Sequence, residues 1–220
     1  MMDLNIPQII PYIIIALTVL TSMKGFNDMA FFDRYKFNVG AILGQSKQWD
    51  RLITSATLHG DYMHLIFNMM TLYFFSPFIV REFGAWMYLA IYFAAIVGGG
   101  LLSLWVHRRE YYYSAIGASG GVVGILFAAI ALNPEMQIGI LLIPIGFPGW
   151  VFGIAYLAFS IYGMQSRQGN IGHDAHLGGA AIGLILSVVF RPDKLEENAL
   201  YIGIMILPLI VLAYLVLKKK

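Results

Sequence analysis

The chain has 220 residues, of which 59% are hydrophobic and 12% charged, and its mean hydropathy is +0.73. A soluble domain carries about 25% charged residues, so this composition excludes both a water-soluble enzyme and a disordered protein. A formal net charge of +2 leaves no electrostatic footprint for nucleic acid, and a sequence without cysteine has no disulfide, thiolate metal site or cysteine nucleophile.

Seven stretches lack Asp, Glu, Lys and Arg and are long enough to cross a bilayer: about 7–23, 62–80, 85–106, 114–132, 149–165, 175–190 and 199–217. A hydrocarbon core takes about 20 residues per span, and backbone in lipid must satisfy its own hydrogen bonds, so these stretches read as helices. The first has no basic flank before it and no small-residue cleavage site after it, so it reads as a retained span. Between the first two spans, residues 24–59 carry Phe26, Phe31, Phe32, Tyr35, Phe37 and Trp49, which suits a loop lying partly in the interface. Residues 134–148 are apolar but broken by Pro144, Gly146 and Pro148, and are expected to skim the membrane. Residues 193–198 form a charged link to the last span. The expected fold is an all-α polytopic membrane protein. Residues 1–192 supply six spans, and 193–220 supply a short linker and one more.

Polar groups inside such spans mark function by default. One cluster is His59, His64 and Asn68, the last two sharing a helix face four residues apart. A second is Gly117-Ala118-Ser119-Gly120, at the start of the fourth span, and a third is His173 and His176, at the start of the sixth. The second, fourth and sixth spans leave from the same membrane face, so the three clusters share a side. Counting back to Asn133 and Arg191 at the opposite face puts Ser119 and His176 about 21–23 Å from it, or about 8 Å below the near face. His64 and Asn68, measured from Arg81, bracket that depth.

Serine is a weak nucleophile until a base takes its proton, and His176 is placed to be that base. Carbonyl attack builds an oxyanion that needs waiting donors. His64, Asn68 and the Ser119 N–H at a helix start are the candidates. Asp174, two residues before His176, points elsewhere on a helix, which leaves a Ser–His dyad. The pairs Gly117/Gly121, Gly120/Gly124 and Gly179/Gly183 have the small-xxx-small spacing that lets helix backbones approach.

These residues resemble the rhomboid family of intramembrane serine proteases from about Trp49 to Phe190. Gly117-Ala118-Ser119-Gly120 is similar to the family's G-x-S-G. Ala175-His176-Leu177-Gly178-Gly179 through Gly183 is similar to its A-H-x-x-G-x-x-x-G, and His59, His64 and Asn68 fall in the matching segment. The resemblance implies a six-span catalytic core with an extra C-terminal span. It implies Ser119 as nucleophile, His176 as base, and an oxyanion site of His64, Asn68 and the Ser119 N–H, supported by Gly117, Gly120, His59 and Gly179. It also implies transmembrane protein substrates and no metal or organic cofactor. It further implies a bacterial inner membrane with the active face outward, which would put eleven of the 14 lysines and arginines outside, against the positive-inside rule. Two departures stand out. Asp50 separates Trp49 from Arg51, which the family often places side by side, and Val123 stands where some members carry an aromatic ring that packs on the histidine.

Two other function classes compete. A catalytically inactive rhomboid-like protein that binds transmembrane helices has no need of both Ser119 and His176. A histidine-based ion transporter is weakened by the lack of carboxylates in the spans. The remaining features have plainer readings: His173 as a supporting or interfacial group, His107 beside Arg108 and Arg109 as interfacial, and Gly98-Gly99-Gly100 as helix packing.

Overall fold

The computed structural model describes residues 6–140, 143–166 and 172–218. Its helices are α1 (Ile6–Asn27), α2 (Met29–Tyr35), α3 (Val39–Leu43), α4 (Arg51–Thr54), α5 (Tyr62–Phe83), α6 (Ala85–Val106), α7 (Ser119–Leu132), α8 (Gly149–Ser166), α9 (His173–Phe190) and α10 (Pro192–Lys218). Two short antiparallel pairs join them: β1 (Phe37–Asn38) with β2 (Ser114–Ala115), and β3 (Gln137–Ile140) with β4 (Ile143–Pro148). Among the described residues, five helices are long and apolar enough to cross a bilayer: Pro7–Asn27, Tyr62–Phe83, Ala85–Val106, His173–Phe190 and Glu196–Leu215. The chain is thus an all-α polytopic membrane protein. Arg167, Gly169, Lys219 and Lys220 lie outside the described residues.

α7 is the innermost helix. Every residue from Gly120 to Leu132 is buried, as expected of a helix that is apolar all round. It packs against α9, α6 and α5, while α8 and α10 cover the far side of α9. Glycine brings the backbones together. A Cβ at Gly179 would stand 2.1 Å from the Gly120 carbonyl oxygen, and one at Gly183 would stand 2.2 Å from that of Gly124. On the other side of α9, a Cβ at Gly178 would meet the Gly99 Cα at 2.7 Å. The Gly98–Gly100 run is therefore a packing face.

One expectation needs correction, and two connecting segments gain detail. The fourth span, expected from Ser114, becomes helical only at Ser119. Gly117 has φ +117° and donates its N–H to the Ser55 carbonyl, so helix cannot pass through it. Gln137–Ile140 and Ile143–Pro148 pair as antiparallel strands in which Gln137 faces Pro148 and Ile138 faces Phe147. Alternation of isoleucine with glycine and proline suits short strands better than helix. The first loop, expected to lie partly in the interface, is organised around a buried arginine. Arg51, 6% exposed, donates to Gln48 Oε1 and to the carbonyls of Asp33 and Lys36. Trp49, 48% exposed, stays outside that arrangement.

α10 is interrupted at Asn198, whose φ and ψ are not helical. Its Nδ2 donates to the Ala131 and Leu132 carbonyls at 3.0 and 3.1 Å, capping the buried end of α7. Asn198→Ala is expected to lower stability by about 1–2 kcal/mol, read as an earlier thermal transition in detergent.

Candidate active site

The shortness of α7 sets the depth of the site. Fourteen residues span about 21 Å, against about 30 Å of hydrocarbon. With Leu132 at the far face, Ser119 is sunk below the near one. Above it opens a cavity of about 520 Å3, lined among others by His64, Asn68, Gly117, Ser119, Tyr156 and His176. Both Ser119 and His176 are half-buried there. Their helices touch at this level, since a Cβ at Gly120 would lie 3.5 Å from the Ala175 carbonyl oxygen. Among the described residues, no hydrogen bond joins Ser119 to His176. They face one cavity without being locked together.

Among the described residues, the His176 side chain makes one hydrogen bond, between Nδ1 and the Tyr156 hydroxyl at 2.8 Å. The Tyr156 ring lies over the imidazole at 6.0 Å between centroids and is backed by Phe127 and Phe152. The aromatic support that Val123 cannot give thus comes from α8. Tyr156 was not singled out in the sequence, where it is one of 13 tyrosines with no motif around it. His173, 4% exposed, packs against Gly163 of α8, where a Cβ would stand 2.2 Å from its Nε2. It lies 6.2 Å from the His176 ring.

On the opposite wall, Asp61 caps α5 by accepting the His64 N–H at 2.8 Å. A Cβ at Gly117 would stand 2.7 Å from His64 Cε1 and 3.7 Å from Ser119 Oγ. His64, Gly117 and Ser119 are therefore immediate neighbours, and the glycine is needed for both its φ and its space. Asn68 Nδ2 lies 3.1 Å from His59 Nε2, and His59 Nδ1 lies 2.9 Å from Ser22 Oγ on α1. Ser22 in turn donates to the Thr57 carbonyl. This fixes the directions. His59 donates through Nδ1 to Ser22 and accepts the Asn68 amide proton at Nε2. Burial lowers the His59 pKa to about 3, with the nearby His64 adding to the effect, so the ring is neutral. His59 therefore holds the Asn68 amide in place and leaves its second N–H for the cavity. Ser22 is a further participant that sequence reading passed over.

His107 departs from its expected role as an interfacial group. It sits half-buried between Glu110 and Asp174. Asp174 does point away from His176, as its place on the helix requires. Among the described residues, no group of three or more His, Cys, Asp or Glu could hold a metal ion.

Comparison with known proteins places this arrangement. The chain is 31% identical over 137 residues to Rhomboid protein 1, mitochondrial, of Saccharomyces cerevisiae, covering 61% of this chain and 40% of that protein. It is 29% identical over 192 residues to RHOMBOID-like protein 12, mitochondrial, of Arabidopsis thaliana, covering 80% and 56%. It is 27% identical over 182 residues to Rhomboid protease AarA of Providencia stuartii, covering 74% and 64%. The chain thus spans only part of these relatives, roughly half of their length. With mitochondrial proteins among them, they support an integral membrane protein and give no support to the bacterial inner membrane as its place. The model of the rhomboid domain matches residues 46–193, two thirds of the chain and every residue of the cavity named above, and the chain belongs to the rhomboid family.

Proposed function

We propose that this protein is an intramembrane serine endopeptidase that cleaves membrane-spanning segments of other proteins through a Ser119–His176 dyad. Residues 1–192 act as its catalytic core and 193–220 as a C-terminal addition. The observation that carries this reading is the convergence of Ser119, His176, His64 and Asn68 on one sunken cavity. In the productive tautomer His176 keeps its proton on Nδ1, donating it to the Tyr156 oxygen, so that Nε2 accepts the Ser119 proton. Ser119 Oγ then attacks the scissile carbonyl. The oxyanion takes hydrogen bonds from the Ser119 N–H, the Asn68 amide and His64. His176 returns its proton to the leaving amine, and water hydrolyses the acyl-enzyme by the same path. Because the serine lies below the headgroups, the substrate backbone must reach it by unwinding within the cavity.

The test combines a fluorophosphonate probe with a model transmembrane substrate in liposomes. Wild-type protein is expected to take the label and cleave, and EDTA is expected to change neither. Folded protein that neither labels nor cleaves would instead be a non-catalytic helix-binding member of the family. Tyr156→Phe keeps the packing and removes the partner of Nδ1. It is expected to lower kcat about tenfold, with KM and thermal stability near wild type, as suits the loss of one hydrogen bond.

A further inference from the structure

Where α6 ends and α9 begins, a charged cluster is built around the buried Asp174 that the chemistry above does not use. Asp174, in the first turn of α9, is 3% exposed, and its Oδ2 lies 3.4 Å from His107 Nε2. His107 Nδ1 lies 3.0 Å from Glu110 Oε2. The His107 ring stacks on Tyr113, with centroids 3.5 Å apart and planes 6° from parallel. Ser103 Oγ, one turn back on α6, and Asp174 Oδ2 are both buried without a hydrogen bond among the described residues. Arg108 turns away, donating to the Trp105 carbonyl and lying over that indole. The charged and titratable groups around His107 are thus Glu110 on its own connection, Asp174 from α9 and Tyr113 from the stretch before β2, with His173 beside Asp174.

A neutral imidazole donates through one nitrogen, whereas here each nitrogen faces a carboxylate. Nδ1 is hydrogen-bonded to Glu110, while Nε2 stands at ion-pair distance from Asp174 Oδ2, a buried oxygen with no hydrogen bond among the described residues, and a carboxylate on each side of the ring calls for an imidazolium. Burial opposes that charge, but the neighbouring Asp174 and Glu110 carboxylates outweigh it, and the His107 pKa is raised.

We propose that protonated His107, bridging Glu110 and Asp174, is a positioning group that pins the first turn of α9 to the end of α6 and so holds His176 in register with Ser119. The inference rests on the protease reading, because it concerns the base of that reaction. Its mechanical basis is the lack of slack between Asp174 and His176. The one residue between them, Ala175, has its carbonyl wedged in the helix seam, where a Cβ at Gly99 would stand 2.5 Å from its oxygen. Losing the His107 charge strands a buried carboxylate, which relaxes by drawing in water and loosening that turn. The sign follows from the raised pKa. The pin is complete below the ordinary histidine range and is lost as pH rises through the folded value. Activity then has two limbs, an acid one where His176 must be neutral and an alkaline one where His107 must stay charged.

The experiment compares kcat/KM against pH for wild type, Asp174→Asn, His107→Gln and His107→Arg in liposomes, with fluorophosphonate labelling as a check on Ser119. Asp174→Asn is expected to move the alkaline limb down by about one unit or more. His107→Gln is expected to lose that limb and run at a plateau about tenfold lower. His107→Arg, permanently charged, is expected to restore activity on the alkaline side. Protein that labels normally but keeps an unmoved alkaline limb in both Asp174→Asn and His107→Gln overturns the proposal. Thermal unfolding in a Ser119→Ala background decides it without catalysis. The transition temperature should fall with rising pH when His107 is present and not when it is Gln, and an equal fall in both discards the pin. Failure of every variant to label would remove the protease reading and leave the melting result to judge the pin alone.

Discussion

Alanine in place of His176 is expected to lower kcat/KM on a transmembrane substrate by at least about 10,000-fold, and Ser119→Ala by as much. The two effects should not add. Oγ without a base is an ordinary alcohol, and a base without Oγ has nothing to activate, so the double variant should match either single one. Fluorophosphonate labelling separates them. Ser119→Ala has no atom to label, while His176→Ala keeps the hydroxyl and should label only at the slow rate of an unactivated serine. Neither change should disturb folding, because both side chains are half-buried against an open cavity and the Ser119 hydroxyl makes no hydrogen bond among the described residues. Cleavage that survives Ser119→Ala would refute the dyad outright.

Gly179→Ala tests the scaffold beneath that dyad. The added Cβ would stand 2.1 Å from the Gly120 carbonyl oxygen and 3.2 Å from the Gly120 Cα, both backbone atoms of a fully buried helix. No side chain is there to rotate away, so α7 and α9 must separate. The expected cost is about 3 kcal/mol or more, seen as lower yield of folded protein and an earlier thermal transition. The separation also carries Ser119 away from His176, and misplacement of about 1 Å is worth about 100-fold in rate. Gly203→Ala is the control. Nothing lies within 4 Å of a Cβ there, and helix propensity favours alanine, so it should leave activity unchanged and raise stability slightly.

What reading the sequence reached, and what it did not, follows from the kind of signal each residue leaves. Ser119, His176, His64 and Asn68 stand out because lipid makes polar side chains in apolar spans costly, and parity then assigns them one side. The pairs Gly120/Gly124 and Gly179/Gly183 were readable because their spacing is the spacing of a helix face, whereas Gly117 lies outside α7 and forms no such pair with Gly121. Tyr156 was not. Tyrosine is common in spans and at interfaces, and nothing local marks the one whose hydroxyl meets His176. His107 and Asp174 each lie beside other charges, where a solvated flank is the ordinary reading, and only the meeting of two helix ends turns them into a buried pair. The start of α7 was placed five residues early because an apolar window does not register the positive φ of Gly117. Asn198 was hidden in a charged link, since capping a distant helix leaves no periodicity.

The Ser22–His59–Asn68 relay bears on how the molecule can be trimmed. Ser22 lies upstream of residue 46, where the match to the rhomboid domain begins. An expressed fragment cut at that boundary would keep the nucleophile, the base and both amide and imidazole donors, yet would free His59 Nδ1 from its anchor. The ring could then turn over, swap its protonated nitrogen and offer Asn68 a donor instead of an acceptor. On the proposed protease reading, the minimal working unit is accordingly larger than the matched domain, and α1 belongs inside it.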